Sequence, residues 1–149
     1  MITYQEEPYP KLVEELKVLL PLHYAEVAED QDRIPLDPDW GEYMNMHCSG
    51  ILHIFTAREG KELVGYHVNI VKKGLHYKSN LFAMTDIFYL KPELRGVGAG
   101  LKMFVFVHEE LKKMGVEKIF TGYKVKHDLS KLFDGLGYRL SDKFYTKLL

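Results

Sequence analysis

Apolar residues recur at helical spacing near the start of the chain and at strand spacing from residue 51 onward. Pro10 opens the first helical pattern, which carries leucines three or four residues apart: Leu12, Leu16, Leu19 and Leu20. Pro21 predicts the end of this helix, and a second short helix is predicted over residues 21–29. Two prolines and a glycine then predict a loop over residues 35–43.

Three β-rich runs follow at residues 51–57, 63–71 and 81–90. The charged turn between the first two runs predicts a hairpin, and a polar loop separates the second run from the third. A glycine-containing stretch comes next and leads into an amphipathic helix, which is predicted from about Val97 to Met114 and closed by Gly115.

The rest of the chain repeats this alternation on a smaller scale. Residues 117–125 predict another strand, and Asp128 predicts the start of a short helix that Gly137 ends. Residues 143–149 predict a final strand. The element order α-α-β-β-β-α-β-α-β, with a short N-terminal strand left open, predicts one α/β domain over residues 1–149 with helices on the faces of a mixed sheet.

Composition supports an ordinary globular domain without disulfides. The chain has 149 residues and one cysteine, Cys48, which is expected to be a small buried residue rather than a nucleophile. It shows neither a cationic and apolar leader nor an apolar run of membrane length. These features predict a soluble cytoplasmic protein without a membrane partner.

The formal net charge of −1 conceals an uneven distribution. Residues 26–42 contain seven acidic residues and one basic residue, Arg33, so this segment carries −6 and the rest of the chain +5. No basic face interleaved with aromatic residues is visible, which argues against a nucleic-acid partner. The polarity favours a cationic ligand on one side and an anionic ligand on the other, while a solvated acidic loop remains the alternative.

The stretch ELRGVGAGLKMF, residues 93–104, carries the main chemical signal. A Rossmann fingerprint would need a third glycine where Leu101 stands, and a P-loop would need a hydroxyl residue after Lys102. The pattern Arg-x-x-Gly-x-Gly does fit Arg95, Gly98 and Gly100. Between a strand and a helix it predicts a pyrophosphate site, because glycines let backbone N–H groups approach an anion. The alternative is a glycine-rich turn without a ligand.

The segment IFYLKPELRGVGAGLKMFVFVHEELKKMG, residues 87–115, resembles the central motif of the GNAT superfamily, the Gcn5-related N-acetyltransferases. LFDGLGY, residues 132–138, resembles the later helix-Gly-aromatic motif of that superfamily. The resemblance implies a central mixed, mostly antiparallel sheet that splays between its fourth and fifth strands, and acetyl-CoA as cosubstrate. The arrangement PLHYAEVA, PLDPDW and LHYKS also looks like small acetyltransferases of tailed bacteriophages, which would place the protein in the host cytoplasm.

The resemblance also implies which residues bind acetyl-CoA. Backbone N–H groups of the glycine loop would hold the pyrophosphate: Arg95, Gly96, Val97, Gly98, Ala99, Gly100 and Leu101. The main chain of Phe88, Tyr89 and Leu90 would pair with the pantetheine arm as an added strand does, and one N–H near Tyr89 or Leu90 would face the thioester oxygen. Lys102 and Lys126 are candidates for the outer phosphates.

Two proton transfers are needed for amine acetylation. Asp86 lies nine residues before Arg95, where many superfamily members place a carboxylate that acts through water; the alternative is a solvated strand residue. Many members carry a tyrosine where this chain has Phe133, so the general acid would be His127, with Tyr123 and Tyr138 as further candidates, or the thiolate would leave unassisted. Lys126 also replaces an asparagine that many relatives have.

The acidic segment and its aromatic residues are the predicted acceptor site. Its members are Tyr24, Glu26, Trp40 and Tyr43, which would attract a cationic amine by charge and cation–π contact. The leading hypothesis is an N-acetyltransferase that acts on a primary amine, without a metal. A protein lysine or N-terminal acetyltransferase and a non-catalytic acetyl-CoA-binding module are the alternatives, and a homodimer is left open.

Overall fold

Five strands form one sheet in chain order, and the computed structural model describes all residues 1–149. The strands are β1 (Ile2–Glu6), β2 (Leu52–Glu59), β3 (Glu62–Gly74), β4 (Tyr77–Leu90) and β5 (Lys118–Phe120). The helices are α1 (Tyr9–Val27), α2 (Trp40–Cys48), α3 (Ala99–Lys113) and α4 (Ser130–Gly135), with one 3₁₀ turn at Pro92–Leu94. This is the predicted single α/β domain.

Helices cover both faces of the sheet, as predicted. On one face, the leucine stripe of α1 packs with Ile54, Tyr66 and Val68 in the largest apolar cluster, and α2 residues pack against its margin. On the other face, α3 packs on the sheet through Val107 and Leu111. The alternation of side chains along β2 and β3 supplies both cores, which is why these central strands are buried almost throughout.

The β3–β4 pairing contains a β-bulge at Asp86. Asn69 pairs with Thr85, whereas the neighbouring Val68 pairs with Ile87, so Asp86 has no partner on β3. One extra residue in a strand bends it and increases its twist. The bend occurs at the point where β4 begins to separate from β5.

The sheet is antiparallel except at β4 and β5, which run parallel and splay apart, as predicted. The two strands pair at three positions, from Phe82–Lys118 to Met84–Phe120. Beyond Met84, β4 continues for six residues to Leu90 while β5 has already ended. A segment of β4 therefore has a strand neighbour on one side alone.

Two sequence predictions about the first helices are wrong. Pro21 does not end α1, because Leu19, Leu20 and His23 on either side of it are all buried. This packing outweighs the cost of a proline inside a helix, which is about 3 kcal/mol. The predicted loop over residues 35–43 ends in α2, which begins when the Asp39 carboxylate accepts a hydrogen bond from the N–H of Glu42 at 2.9 Å.

The predicted final strand over residues 143–149 is also wrong. This segment has no regular structure, and the side chains of Phe144 and Tyr145 are about nine-tenths exposed. β-propensity describes how well a residue fits a half-buried pleated surface, and here no neighbouring strand supplies that surface. Cys48, expected to be buried, is exposed at the end of α2.

Two further findings bear on function. None of the helices combines the length and the apolar composition that crossing a membrane requires. No group of three or more histidine, cysteine, aspartate or glutamate side chains is placed to hold a metal ion.

Candidate functional site

The glycine loop forms an open cradle at the start of α3. Gly96 and Gly98 have φ values of +78° and +83°, a left-handed conformation that favours glycine. No atom lies within 4 Å of where a Cβ would stand on Gly96, Gly98 or Gly100. The first bond of α3 joins the N–H of Lys102 to the carbonyl of Gly98, so the N–H groups of the preceding turn have no helical partner. The cradle suits an anion.

Arg95 differs from the rest of this loop. Its backbone N–H already donates to the carbonyl of Pro92 at 3.1 Å, so the free N–H groups begin at Gly96. Its side chain folds back along β4, where Nε donates to the carbonyl of Leu90 at 2.8 Å and the guanidinium lies 5.5 Å from the Tyr89 ring centre. The same guanidinium forms a two-point ion pair with the carboxylate of Glu26 on α1.

The unpaired edge of β4 leads from this cradle towards Asp86. The N–H of Lys91 donates to the carbonyl of Val64, and hydrogen-bonded residues alternate along an antiparallel ladder. The main-chain groups of Phe88 and Leu90 therefore point away from β3 into the gap beside β5, whereas those of Tyr89 pair with β3. Of the three predicted pantetheine residues, two face the gap.

The far side of the gap also has an unsatisfied polar group. Thr121 directly follows the last residue of β5 that pairs with β4, and its hydroxyl is buried without a hydrogen-bond partner. Buried polar groups are almost always paired in native proteins.

Asp86 lies at the end of the gap, on the α1 and α2 face of the sheet. Its carboxylate makes no hydrogen bond within the protein, and its side chain reaches solvent although the surrounding atoms raise its pKa by desolvation. It is close enough to Tyr43 for its charge to add to the burial that raises the pKa of Tyr43 to about 12. Asp86 is therefore a free carboxylate beside a neutral phenol.

The four predicted acceptor residues do not form one group. Tyr43 stacks on Tyr9 with ring centres 5.4 Å apart and contacts Trp40, so these two predicted residues lie together, and Tyr43 is the one close to Asp86. The hydroxyl of Tyr24 donates to the carbonyl of Ile34, which holds α1 to the acidic loop. Glu26 is paired with Arg95 and is not free to attract a cationic substrate.

The predicted proton donors surround a packed aromatic cluster. Phe133 is buried, with ring centres of Phe104 and Tyr138 5.6 Å and 5.1 Å away. The hydroxyl of Tyr138 is engaged with His108 at 2.5 Å. Exposed His127 has its Nε2 3.2 Å from the carbonyl oxygen of Glu26, and Lys126 beside it is exposed as well.

The sequence matches no protein-family model and no curated protein, but the fold matches known structures over the whole chain. A transcriptional regulator from Bacillus halodurans C-125 is 18% identical, with a TM-score of 0.76 and 100% of each chain covered. A predicted acetyltransferase from Clostridium acetobutylicum, solved with acetyl-CoA, is 16% identical, with a TM-score of 0.75 and 99% and 96% coverage. An aminoglycoside acetyltransferase from an uncultured soil metagenomic sample, solved with sisomicin, is 15% identical, with a TM-score of 0.73 and 99% and 97% coverage.

The chain has the fold of these structures, two of which are described as acetyltransferases. The predicted mixed, mostly antiparallel sheet and its splay between the fourth and fifth strands are confirmed. At these identities the likeness establishes the fold and leaves the activity to be argued from the site. It gives no support to the resemblance to bacteriophage enzymes.

The residues present fit acetyl-CoA. The open cradle suits the pyrophosphate, and the unpaired β4 edge suits the amides of the pantetheine arm. Exposed Lys102, in the first turn of α3, adds positive charge beside the cradle.

A buried polar network that was not predicted from the sequence lies behind this site. His67, Asn69 and Thr85 lie on the α3 face of β3 and β4 and are joined by side-chain hydrogen bonds. The signal was present in YHVNIV, where two polar residues at strand spacing interrupt an apolar run. Such a pair on one face of a buried strand indicates a polar network in the core.

Proposed function

We propose that the protein is an acetyl-CoA-dependent N-acetyltransferase that acts on a primary amine. The observation that carries this proposal is the unpaired edge of β4, which joins the anion cradle at Gly96–Leu101 to the free carboxylate of Asp86. Neighbours with this fold that were solved with acetyl-CoA and with an aminoglycoside support the assignment of the two substrates.

The chain contributes binding groups along the whole length of the proposed cosubstrate site. N–H groups from Gly96 to Leu101 hold the pyrophosphate, aided by the positive end of the α3 dipole. Main-chain groups of Phe88 and the N–H of Leu90 hold the pantetheine arm by strand-like pairing, since the Leu90 carbonyl already accepts from Arg95 Nε. Acetyl-CoA, when bound, supplies an acetyl group activated as a thioester.

Asp86 has the properties of a general base. An amine substrate is an ammonium ion at neutral pH and must lose a proton before its nitrogen can attack. Asp86 accepts this proton, through a water molecule, and desolvation makes its carboxylate a stronger base than an aspartate in water. Tyr43 lies near it and contacts Trp40, and this aromatic pair is the candidate surface for the cation.

Glycine substitution in the cradle tests the cosubstrate site. We expect Gly98→Leu to weaken acetyl-CoA binding, measured by isothermal titration calorimetry, by about tenfold or more, which is roughly 1.4 kcal/mol. The new side chain fills the open space above the loop, where the phosphates must approach.

Gly115→Leu is the matched control for that experiment. Gly115 lies beyond the other end of α3, has a similar φ of +88°, and also has nothing within 4 Å of its Cβ position. Both variants suffer the same backbone strain, so a loss of affinity confined to Gly98→Leu isolates the cradle. Equal affinities in two folded variants would contradict the assignment.

The leaving thiolate is expected to depart without a protein acid. We predict that His127→Ala and Phe133→Tyr each change kcat by less than about twofold, because a thiol of pKa near 8.5 is a fair leaving group. Phe133 is explained by packing, and His127 contacts the carbonyl of Glu26. Steady-state thiol release across a pH series measures both variants. A large gain in Phe133→Tyr at unchanged acetyl-CoA affinity would show that protonation limits the rate.

A non-catalytic acetyl-CoA-binding module is the second candidate. Phe133 at the position where many superfamily members have a tyrosine favours it, and one structural neighbour is described as a transcriptional regulator. Thiol release with a panel of small amines and of peptides with free lysine or N-terminal amines separates the candidates. Acetyl-CoA binding without release for any acceptor would favour the module, and release with peptides alone would favour a protein substrate.

A further inference from the structure

The β4 bulge decides which residues face the acceptor side of the sheet. Thr85, before the bulge, faces α3, and so do Phe88 and Leu90 after it. Thr85 and Phe88 are three positions apart, whereas successive residues on one face of a regular strand are two apart. Ile87 and Tyr89 consequently pack with α1 on the opposite face. A shift of one residue in strand register moves every side chain to the other face, so the position of Asp86 depends on the bulge.

Two side-chain hydrogen bonds lead from His67 through Asn69 to Thr85, the residue that precedes Asp86. The Thr85 hydroxyl donates to Asn69 Oδ1 at 3.2 Å, and Asn69 Nδ2 donates to His67 Nδ1 at 2.9 Å. His67 and Asn69 are completely buried. His67 is enclosed by Phe88, stacked at 5.7 Å, and Phe104, edge-on at 4.9 Å.

The Asn69 amide joins the two other side chains. Its oxygen accepts from the Thr85 hydroxyl, and its NH₂ group donates to Nδ1 of His67, which corresponds to the neutral imidazole tautomer protonated at Nε2. Burial, with a smaller contribution from His108, lowers the pKa of His67 to about 3, so the ring stays neutral. Its Nε2–H is then a buried donor without a partner.

We propose that His67, Asn69 and Thr85 are positioning residues that hold the β4 bulge and so keep Asp86 in place beside the acceptor. Asn69 is the residue directly opposite Thr85 in the sheet, at the last regular pair before the bulge. Its side chain adds a second attachment between the two strands there, on the face opposite to Asp86. This inference rests on the proposed function, because it assumes that Asp86 is the base.

An apolar core would not give the same constraint. Apolar residues at these positions would make no hydrogen bond that depends on this register, whereas the hydrogen bond from Thr85 to Asn69 forms when the two residues are opposite each other. The cost is the buried Nε2–H of His67. A polar group retained at such a cost is best attested where it specifies one register over another.

Thr85→Val tests this proposal, with Thr85→Ser as the matched control. Valine keeps the shape of threonine and removes the hydroxyl, while serine keeps the hydroxyl and removes the methyl group. We expect Thr85→Val to lower kcat about tenfold, since small misplacement of a reacting group is costly, with little change in acetyl-CoA affinity. Thr85→Ser should retain kcat within about twofold.

Amide hydrogen exchange supplies a readout that does not depend on catalysis. In Thr85→Val the amides of Asp86 and Ile87 should exchange at least about tenfold faster than in the wild type, while those of β2 are unchanged. Asn69→Leu should act in the same way. If both variants keep wild-type exchange at the bulge and wild-type kcat, the proposal is overturned.

Activity and hydrogen exchange distinguish the positioning role from the proposed function. If the wild-type protein acetylates no amine, the proposed function is wrong. Amide hydrogen exchange in the variants still shows whether the His67, Asn69 and Thr85 network holds the bulge. If Asp86→Asn abolishes activity but Thr85→Val affects neither kcat nor exchange, the proposed function stands and the positioning role is refuted.

Discussion

Asp86→Asn is expected to lower kcat/KM for acetyl transfer by about 10²-fold at neutral pH, the range typical of a lost general base. Asparagine has the same shape but cannot accept the proton of the ammonium substrate. Because desolvation raises the pKa of Asp86, the wild-type kcat/KM should rise with pH through a limb that lies above the ordinary pKa of an aspartate. That limb should be absent from the variant.

Two measurements make this test specific. Acetyl-CoA affinity should be the same in Asp86→Asn and the wild type, because the cradle lies at the other end of the gap. Asp142→Asn, in the exposed C-terminal segment, is the control for removing one negative charge. Full activity of Asp86→Asn across the pH profile would mean that Asp86 is a solvated strand residue, the alternative that the sequence left open.

Acid should destabilise the protein through two buried histidines well before its carboxylates titrate. Burial lowers the pKa of His23 to about 4 and that of His67 to about 3, whereas both titrate near 6.5 when unfolded. Their contribution to stability is therefore complete above about pH 6.5 and falls with pH, because the unfolded chain binds protons that the folded chain cannot. Each histidine should contribute a loss of about 2 kcal/mol between pH 7.5 and pH 5.

Other histidines modify this effect without reversing it. Burial also lowers the pKa of His108, which adds to the loss. Hydrogen bonding to Glu6 raises the pKa of His53, so this pair changes stability with pH in the opposite direction. Its stabilisation is present at low pH and is lost as the pH rises through the pKa of His53 in the folded protein. A total loss of about 4 kcal/mol from His23 and His67 is large beside the roughly 5–15 kcal/mol of a typical domain.

Urea unfolding at pH 7.5 and pH 5 measures this effect. His23→Gln and His67→Gln should each reduce the difference between the two free energies of unfolding by about 2 kcal/mol. Comparing two pH values within one variant cancels any change in packing that the substitution causes. His76→Gln, at an exposed histidine of the β3–β4 turn, is the control. A pH difference that stays the same in both buried variants would refute the prediction.

Features that depend on neighbours in sequence were predictable. The glycine loop, the amphipathic helix after it and the β-rich runs each have a local cause, in backbone freedom at glycine or in the spacing of apolar residues. Together with the GNAT resemblance they led to the fold class, the splayed sheet and the loop where α3 begins. Asp86 was singled out by the same resemblance, because it lies nine residues before Arg95, and an aspartate is also unusual inside a strand.

Features that depend on distant neighbours were not predictable in the same way. Proline ends an isolated helix, yet Pro21 lies within α1, because the buried residues around it pack on the sheet. The strand pattern at residues 143–149 is genuine, but a strand forms only where another strand accepts its hydrogen bonds. Glu26 was expected to attract a substrate, and it is paired instead with Arg95, 69 residues away.

The sequence by itself determined the local chemistry: where the backbone turns to expose N–H groups, which faces of the elements are apolar, and which side chains can exchange protons. Tertiary structure decided which of these groups are free. It paired Glu26 with Arg95, enclosed Phe133 in an aromatic cluster, and left Asp86 without a partner beside the open edge of β4. The physical reason is that pairing and burial depend on distances in space, which the spacing of residues along the chain does not specify.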